Sequence, residues 1–538
     1  MRFSYSLTCV ISIISVLTAM EIAPAEPTSA EMVAMRDDVK LATDVYLPQG
    51  DGPFPAILIM TPYNKDGLAM WAVAANQNGY AFVAQDFRGR FASEGNDYPV
   101  FRSYAWGEIQ DGYDTVEWMA SQDWCNGKVG TLGISGPGIA QNMMAPTAPP
   151  HLVCQYVGVA YSSAYHHSAY QGGAFRKNLW ERWLIDNQFD PETLRQAREH
   201  PDYDEYWKTQ NAELVADRVN VPSMFVGGWY DIFNIGTVNS FKTIQHNGAE
   251  GAKGKCKLAM QAYGHGLNEE VVFPNQGFPK NADFANLGWF DIWLKNDGKG
   301  ADEITAVQYF VMGDPADASA NVWKSADDWP PPAKETSYYL MPDGMLQTDH
   351  ADDSASLSYK YDPNNPVPTL GGAELYDPKG PMDQRSIEDR PDVLLFTSAT
   401  LDQPLEVVGK LKVKLWASSD APDTDFTAKL CDVYPDGKSI LIADGIIRAS
   451  HRNSLEKRDL LESGEIYEFE IDLWDTAILF SKGHKVRIAI SSSNSPRFEP
   501  NPNTGKPSGV DEETRIATNT IYLDKEHPSC IILPVVSQ

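Results

Sequence analysis

A nucleophile, an acid and a base stand in this chain in an order that serves acyl transfer: Ser135, Asp231 and His265. The serine follows the apolar run Val129-Gly130-Thr131-Leu132-Gly133-Ile134 and precedes Gly136-Pro137-Gly138. A strand that ends on a serine among small residues and turns at once into a helix is the sequence pattern of a nucleophile elbow. The usual spacing is Gly-x-Ser-x-Gly. Here Gly133 fits, Pro137 occupies the second glycine position, and the glycine comes one later at Gly138. Proline suits a first helical turn, where its missing N–H is no loss. Gly136 keeps its N–H, the donor that an oxyanion hole needs beside the nucleophile. Alone the pattern is weak, because small residues flank serine turns in many proteins without catalysis.

The other two residues strengthen it. Pro222-Ser223-Met224-Phe225-Val226-Gly227-Gly228-Trp229-Tyr230 reads as a buried strand that ends in Asp231. Cys256-Lys257-Leu258-Ala259-Met260-Gln261-Ala262-Tyr263-Gly264 reads as another, ending in His265. Open α/β sheets build their sites beyond the carboxyl ends of their strands. Serine, then acid, then histidine is the chain order of α/β-hydrolases. Taken singly, Asp231 reads as a helix N-cap before Phe233 and His265 as a turn histidine. Together, in order and each at a strand end, the three read as a triad in which the acid orients the base and the base activates the serine.

The elements that must position them alternate along residues 31–160 and 220–300. An early hairpin is expected between Met32 and Pro48, with short apolar strands at Pro55 to Met60, Ala81 to Phe87 and Cys154 to Tyr161. A helical stretch runs from Glu108 to Gln122, and an amphipathic helix from Phe284 to Asn296 closes the region. Strand and helix in alternation imply a parallel sheet with crossover helices. Residues 161–219 break the alternation with aromatic, His- and Arg-containing helical stretches, read as a cap over the site. After about Asp302 short β-type runs recur between turns, beginning with Val307 to Met312. Residues 301–538 are therefore expected to form an all-β sandwich or jelly roll.

The chain has 538 residues, 43% of them hydrophobic and 22% charged, which is the composition of a large globular enzyme of two or three domains. Its formal charge of −29 argues against nucleic acid as a partner. Met1-Arg2 and an apolar stretch from about Leu7 to Met20 read as a signal peptide of about residues 1–25. Ala23-Pro24-Ala25 offers a cleavage site, with Thr28-Ser29-Ala30 as a second choice, so the protein is expected to be secreted or periplasmic. No other stretch suits a membrane span. Five cysteines follow the signal segment, at Cys125, Cys154, Cys256, Cys431 and Cys530. They show no paired metal spacing, and an odd number leaves at least one free, with one or two bridges open to the rest.

Several longer segments carry a resemblance. These are Thr61-Pro62-Tyr63-Asn64-Lys65, Asp86-Phe87-Arg88-Gly89-Arg90-Phe91-Ala92-Ser93-Glu94-Gly95, Asp111-Gly112-Tyr113-Asp114, Gly228-Trp229-Tyr230-Asp231 and, further on, Asp423-Thr424-Asp425-Phe426 and Gly483-His484-Lys485-Val486-Arg487. From about Val33 to about Gly505 the chain resembles the CocE/NonD group of serine hydrolases, the cocaine-esterase and X-Pro dipeptidyl-peptidase type. The resemblance implies an α/β-hydrolase fold with a helical cap insert and a C-terminal jelly roll. It implies Ser135 as nucleophile, Asp231 as acid and His265 as base. It further implies Tyr63 as the hydroxyl that joins the Gly136 N–H in the oxyanion hole, and Phe233 as a pocket aromatic beside the acid. Trp180, Tyr165 and Tyr170 are candidates to line the acyl pocket from the cap, or to be cap core.

Two departures bear on the pocket. The group usually has Tyr after the nucleophile, where Gly136 stands, so an aromatic wall is expected to be missing. Gln261-Ala262-Tyr263-Gly264 replaces the usual Gly-Pro-Trp context before the histidine. Other motifs carry less. Asp423 and Asp425 lack EF-hand spacing, His166-His167 reads as a cap surface feature, and Asp86 with Arg88 reads as a polar network beside the elbow. The expectation is a serine hydrolase without metal or cofactor that acts on a small ester or amide, most simply as a carboxylic ester hydrolase. X-Pro dipeptidyl-peptidase or β-lactam acylase activity is the alternative within that chemistry, and a silent binding module is the alternative outside it. Self-association as a homo-oligomer stays open.

Overall fold

The structure is a computed structural model that describes residues 25–268, 270–278, 287–351, 355–376, 378–506 and 513–537. Residues 1–24 of the expected signal segment and the start of the expected 284–296 helix lie outside the described residues.

The N-terminal sheet begins with an antiparallel hairpin, β1 (Ser29–Ala34) and β2 (Lys40–Tyr46). It continues through β3 (Phe54–Thr61), β4 (Ala81–Asp86), β5 (Cys125–Ile134) and β6 (Leu152–Gly158), with α1 (Ala69–Gln77), α2 (Asp111–Ala120) and α3 (Gly136–Met144) as crossovers. Residues 56–60 of β3 are apolar on both faces and buried, as a central parallel strand requires. The strands lie in the order β1, β2, β4, β3, β5, β6, and from β4 onward they run parallel.

The cap interrupts the sheet. A π-helical turn, Tyr165–Ala169, leads into a small hairpin, β7 (Tyr170–Gln171) and β8 (Ala174–Phe175). Then come α4 (Lys177–Asp186), α5 (Pro191–Glu199) and α6 (Glu205–Lys208). Asp190 caps α5 by accepting from the Glu192 N–H, and Pro191 sits at its first position. The sheet resumes with β9 (Ser223–Tyr230), α7 (Asn234–Asn247) and β10 (Lys257–Gly264), both strands parallel to β6. The closing helix is short: Gly288–Phe290 passes into a π-helical turn, Asp291–Lys295.

One strand joins both sheets: Met312 and Gly313 pair in parallel with Ile478 and Leu479 of the C-terminal domain. Val307 to Met312, read in sequence as the first run of the β-domain, lies in β11 (Val307–Gly313) and pairs in parallel with β10. It extends the hydrolase sheet, which β12 (Val322–Ala326) ends in antiparallel fashion. A lone apolar run does not state its partner. Here the exposed edge of β10 takes it.

The C-terminal domain comprises β13 (Lys334–Leu340), β14 (Met345–Gln347), β15 (Ser356–Tyr361), β16 (Leu394–Ser398), β17 (Leu405–Ser419), β18 (Asp425–Val433), β19 (Ser439–Arg448), β20 (Tyr467–Phe480), β21 (Lys485–Ser491), β22 (Ala517–Tyr522) and β23 (Cys530–Val535). One layer pairs β14, β16, β21, β18 and β19, and the other pairs β20, β17, β22, β15, β23 and β13. Leu411, Val413, Leu415 and Ala417 of β17 are buried on one face of the pleat, with Lys410, Lys412 and Lys414 on the other. Phe426 of β18 and Phe469 of β20 meet with ring centroids 4.8 Å apart.

The two domains grip the cap between them. Backbone hydrogen bonds run from Arg448 N–H to Gly172 O (2.8 Å), from Tyr203 N–H to Leu455 O (2.8 Å) and from Asn178 N–H to Pro496 O (3.1 Å). All five cysteines among the described residues are free and buried, so no bridge takes part in this packing.

Candidate active site

Ser135 stands between β5 and α3 with φ 61° and ψ −125°. A non-glycine residue held there is strained, and the surrounding packing must enforce it. Small neighbours make that packing feasible. A Cβ on Gly133 would come within 2.5 Å of the Pro137 backbone, and one on Gly138 within 2.8 Å of Gly158 O. Glycine at both places lets strand, helix and the next strand close on the turn.

The three sequence-predicted residues come together as a hydrogen-bonded chain. Ser135 Oγ lies 3.0 Å from His265 Nε2, and His265 Nδ1 lies 2.8 Å from Asp231 Oδ2. Asp231 is fully buried at the end of β9, and its second oxygen accepts from the Phe233 N–H at 2.7 Å. With both oxygens engaged, the carboxylate is fixed and selects the Nδ1–H tautomer of His265. Nε2 is then the acceptor for the serine proton.

Tyr63 follows β3. Its N–H donates to Thr61 Oγ1 (3.0 Å), and the next turn is held where the Lys65 N–H donates to Asp86 Oδ1 at 2.7 Å. Asp86 therefore secures the loop that carries Tyr63. Arg88 pairs elsewhere, with Asp111 (2.6 Å) and Asp37 (2.8 Å). Burial pushes the Tyr63 phenol above its ordinary value, against the opposing pull of the Ser135 and Trp183 side chains and the Gly136 N–H. The hydroxyl thus stays protonated at neutral pH beside the nucleophile and the Gly136 N–H. These are the two donors that a tetrahedral oxyanion would need.

A cavity of about 930 Å³ opens over these atoms. Phe233, Trp180, Trp183, Phe101, Tyr161 and Leu375 are among its lining residues. Phe233 meets His265 edge-on at 5.7 Å, and Trp183 stacks on Phe101 at 6.0 Å. Trp180 is therefore in the wall. Tyr165 and Tyr170 are not: they stack on each other at 4.8 Å, and their hydroxyls donate to Pro201 O and Ala197 O, both at 2.9 Å. They are cap core, because a buried phenol goes where a carbonyl can satisfy it. Nor does Gly136 open a vacancy. A Cβ there would meet Pro62 Cγ at 2.9 Å and the Tyr63 hydroxyl at 3.0 Å, so those groups crowd the point where a side chain would start. His166 and His167 lie within the cap rather than on its surface, and burial pulls them down to about 4 and about 3.

Sequence reading missed Trp183 and Leu375. Trp183 sits one helical turn beyond Trp180 on α4 and was open to that argument. Leu375, with Tyr376 beside it, arrives from the β-domain, and nothing local marks either. Among the described residues no group of three or more His, Cys, Asp or Glu side chains could hold a metal ion.

A strained serine at a strand–helix turn, a buried acid and a bridging histidine, on a mostly parallel sheet with helical crossovers, define a serine hydrolase of the α/β-hydrolase fold. Comparison with known proteins narrows this. The X-Pro dipeptidyl-peptidase (S15 family) profile matches residues 37–190 and 181–266, and the X-Pro dipeptidyl-peptidase C-terminal non-catalytic domain matches residues 293–532. The chain is 33% identical to cocaine esterase of Rhodococcus sp. (strain MB1 Bresler), over 94% of this chain and 98% of that one. It belongs to the CocE/NonD family of serine hydrolases. Among solved structures, an α-amino acid ester hydrolase superposes with a TM-score of 0.81 at 25% identity, covering 97% of this chain and 99% of that one. An aminopeptidase from a Thaumarchaeota archaeon shares the fold, with a TM-score of 0.82 at 23% identity over 97% and 99%.

Proposed function

We propose that this protein is an exported carboxylic ester hydrolase that works through an acyl-enzyme on Ser135. His265 Nε2 takes the serine proton as Oγ attacks the ester carbonyl. The Tyr63 hydroxyl and the Gly136 N–H hold the oxyanion. The imidazolium then gives its proton to the leaving alkoxide, and water, activated by the same nitrogen, releases the acid. Asp231 holds the imidazole throughout.

The observation that carries this reading is the unbroken Ser135–His265–Asp231 chain facing a cavity with an aromatic cap wall. The lining also favours an ester with a neutral acyl group over a substrate held by its amine. Among the described lining residues the carboxylates are Asp231 and Asp186. Asp231 is bound to His265, and Asp186 is paired with Arg182 at 3.5 Å. Among those described residues each carboxylate already has a basic partner. The aminopeptidase and amino-ester hydrolase likenesses keep amine-bearing substrates as the second arm of the test.

Export rests on the apolar N-terminal stretch. The Thr28 N–H donates to Val45 O (2.7 Å) and the Leu47 N–H to Thr28 Oγ1 (3.0 Å), which favours cleavage after Ala25 over cleavage after Ala30.

The test is labelling with a fluorophosphonate, followed by peptide mapping and a hydrolysis screen over aryl esters, amino-acid esters, X-Pro anilides and β-lactams. An adduct on Ser135, absent in Ser135→Ala, with aryl esters preferred, is the expected result. No adduct on a folded protein would leave a binding module. Preference for X-Pro anilides, amino-acid esters or β-lactams would replace the simple-ester assignment.

A further inference from the structure

A cap arginine and a ring of the C-terminal domain meet behind the acid loop. Arg176, just ahead of α4, is 1% exposed. Its Nη1 donates to two carbonyls, His167 O at 2.8 Å and Ile232 O at 3.1 Å, while Nε and Nη2 find no partner among the described residues. A buried guanidinium with two unsatisfied donors is a poor source of stability. Its placement is informative. Ile232 directly follows Asp231, and His167 lies in the π-helical turn whose next residue, Ser168, lines the cavity.

Behind Arg176 stands Trp474 of β20. The Arg176 guanidinium lies 5.3 Å from the Trp474 ring centroid, and that of Arg497 lies 5.4 Å from it. Trp474 is held at φ 69°, an uncommon conformation for a bulky residue. The cause is a bulge: Lys410 faces Asp475 and Lys412 faces Asp472, so Leu473 and Trp474 oppose the single residue Leu411. A bulge re-aims side chains, and here the Trp474 ring packs against Ile235 and Ala373. Next to it, Asp475 O accepts from Asn234 Nδ2, which also donates to Trp229 O, both at 2.9 Å. Thus Trp229, Ile232, Asn234 and Ile235, the residues that bracket Asp231, are tied to the bulge or to Arg176.

We infer that Arg176, backed by the Trp474 bulge of the C-terminal domain, is a positioning residue that holds the Asp231 loop in register with His265. This rests on the acyl-transfer reading of the site. The match to a non-catalytic domain describes where the chemistry groups reside. The bulge adds that this domain sets the geometry of the triad acid. No contact of Arg176 or Trp474 with substrate is implied, so the effect should fall on turnover rather than on binding.

The experiment begins with fluorophosphonate labelling of the wild-type protein. An unlabelled wild type removes the site reading and this proposal with it. In Arg176→Met, kcat is expected to fall roughly ten- to hundredfold, the scale of a small misplacement of a reacting group. KM should stay within about twofold, and the labelling rate should drop in parallel. Arg176→Lys keeps a donor to the carbonyls and should recover most of the loss. Trp474→Phe, a milder change that covers the case of an unfolded Arg176→Met, should lower kcat in the same sense, with KM again unmoved. A folded variant whose melting temperature falls while kcat stays within about twofold of wild type overturns the proposal. So does a loss carried wholly by KM.

Discussion

The Tyr63 hydroxyl occupies the space into which a side chain at position 136 would project: a Cβ on Gly136 would stand 3.0 Å from the phenolic oxygen and 3.1 Å from Cε2 of the same ring. The two residues form one device. The glycine lets the phenol close on the N–H that follows the nucleophile, so that two donors can converge on one oxyanion.

Tyr63→Phe should therefore lower kcat by roughly two orders of magnitude with little change in KM, the usual consequence of losing one oxyanion donor. Gly136→Ala should be as damaging by a different route, because the methyl must push Tyr63 or Pro62 aside. In the double variant the missing hydroxyl relieves part of the clash. The combined loss should then be smaller than the product of the two single losses. Multiplying losses would show that the residues act independently.

Trp180 and Tyr165 should separate wall from core. Burying a large apolar side chain contributes about 1.5–3 kcal/mol, so Trp180→Ala should reduce kcat/KM for aryl-acyl esters by roughly tenfold to a hundredfold. Acetyl esters should suffer much less. Tyr165→Phe removes a hydrogen bond to Pro201 O and should cost about 1 kcal/mol of stability. Its kinetics should be unchanged. Equal losses for both ester classes in Trp180→Ala would place that ring outside the acyl site.

His484 should make stability depend on pH. Burial opposes its charge, but Asp432 at 2.9 Å and Asp314 at 3.4 Å outweigh it and raise the imidazole above its ordinary value of 6.5. A group raised on folding stabilises fully below its unfolded value, and the contribution fades as pH climbs through the folded one. Asp314 follows β11 and Asp432 lies in β18, so the charge joins the two domains. Melting temperature should fall by a few degrees between about pH 6 and pH 8. In His484→Gln it should be lower at pH 6 and flatter across the range. An unchanged slope in the variant would assign the dependence to another group.

The five buried thiols should be silent in the native protein. Burial raises each of them, Cys256 and Cys431 to about 12, which suppresses the reactive thiolate. Ellman's reagent should titrate almost nothing before unfolding and all five afterwards, and dithiothreitol should leave the melting temperature unchanged. A drop in stability on reduction would reveal a bridge.

Recovered exported protein should begin at Glu26. N-terminal sequencing decides it. A start at Glu31 would delete the Thr28 contacts and the first residues of β1, and an intact Met1 on exported protein would make the segment an anchor.

Much of the site could be read along the chain, because an α/β-hydrolase places each catalytic group at a strand end. The elbow around Ser135, the run before Asp231 and the run before His265 are local patterns of apolar residues and glycine. Their order alone implied a triad. Position 136 could be recognised as glycine but not interpreted. Whether a missing side chain leaves a vacancy depends on Pro62 and Tyr63, more than seventy residues earlier in the chain. Val307–Gly313 looked like any β run, and only the free edge of β10 made it part of the hydrolase sheet. Tyr165 and Trp180 were equivalent as cap aromatics until packing gave one a carbonyl partner and the other the cavity. The tie from Arg176 to Ile232 O, backed by a bulged Trp474 nearly three hundred residues further on, has no local signature. Sequence determined which groups could react, since that follows from residue type and short-range strand chemistry. Tertiary structure decided how firmly they are held, because burial and long-range pairing arise only when distant segments meet.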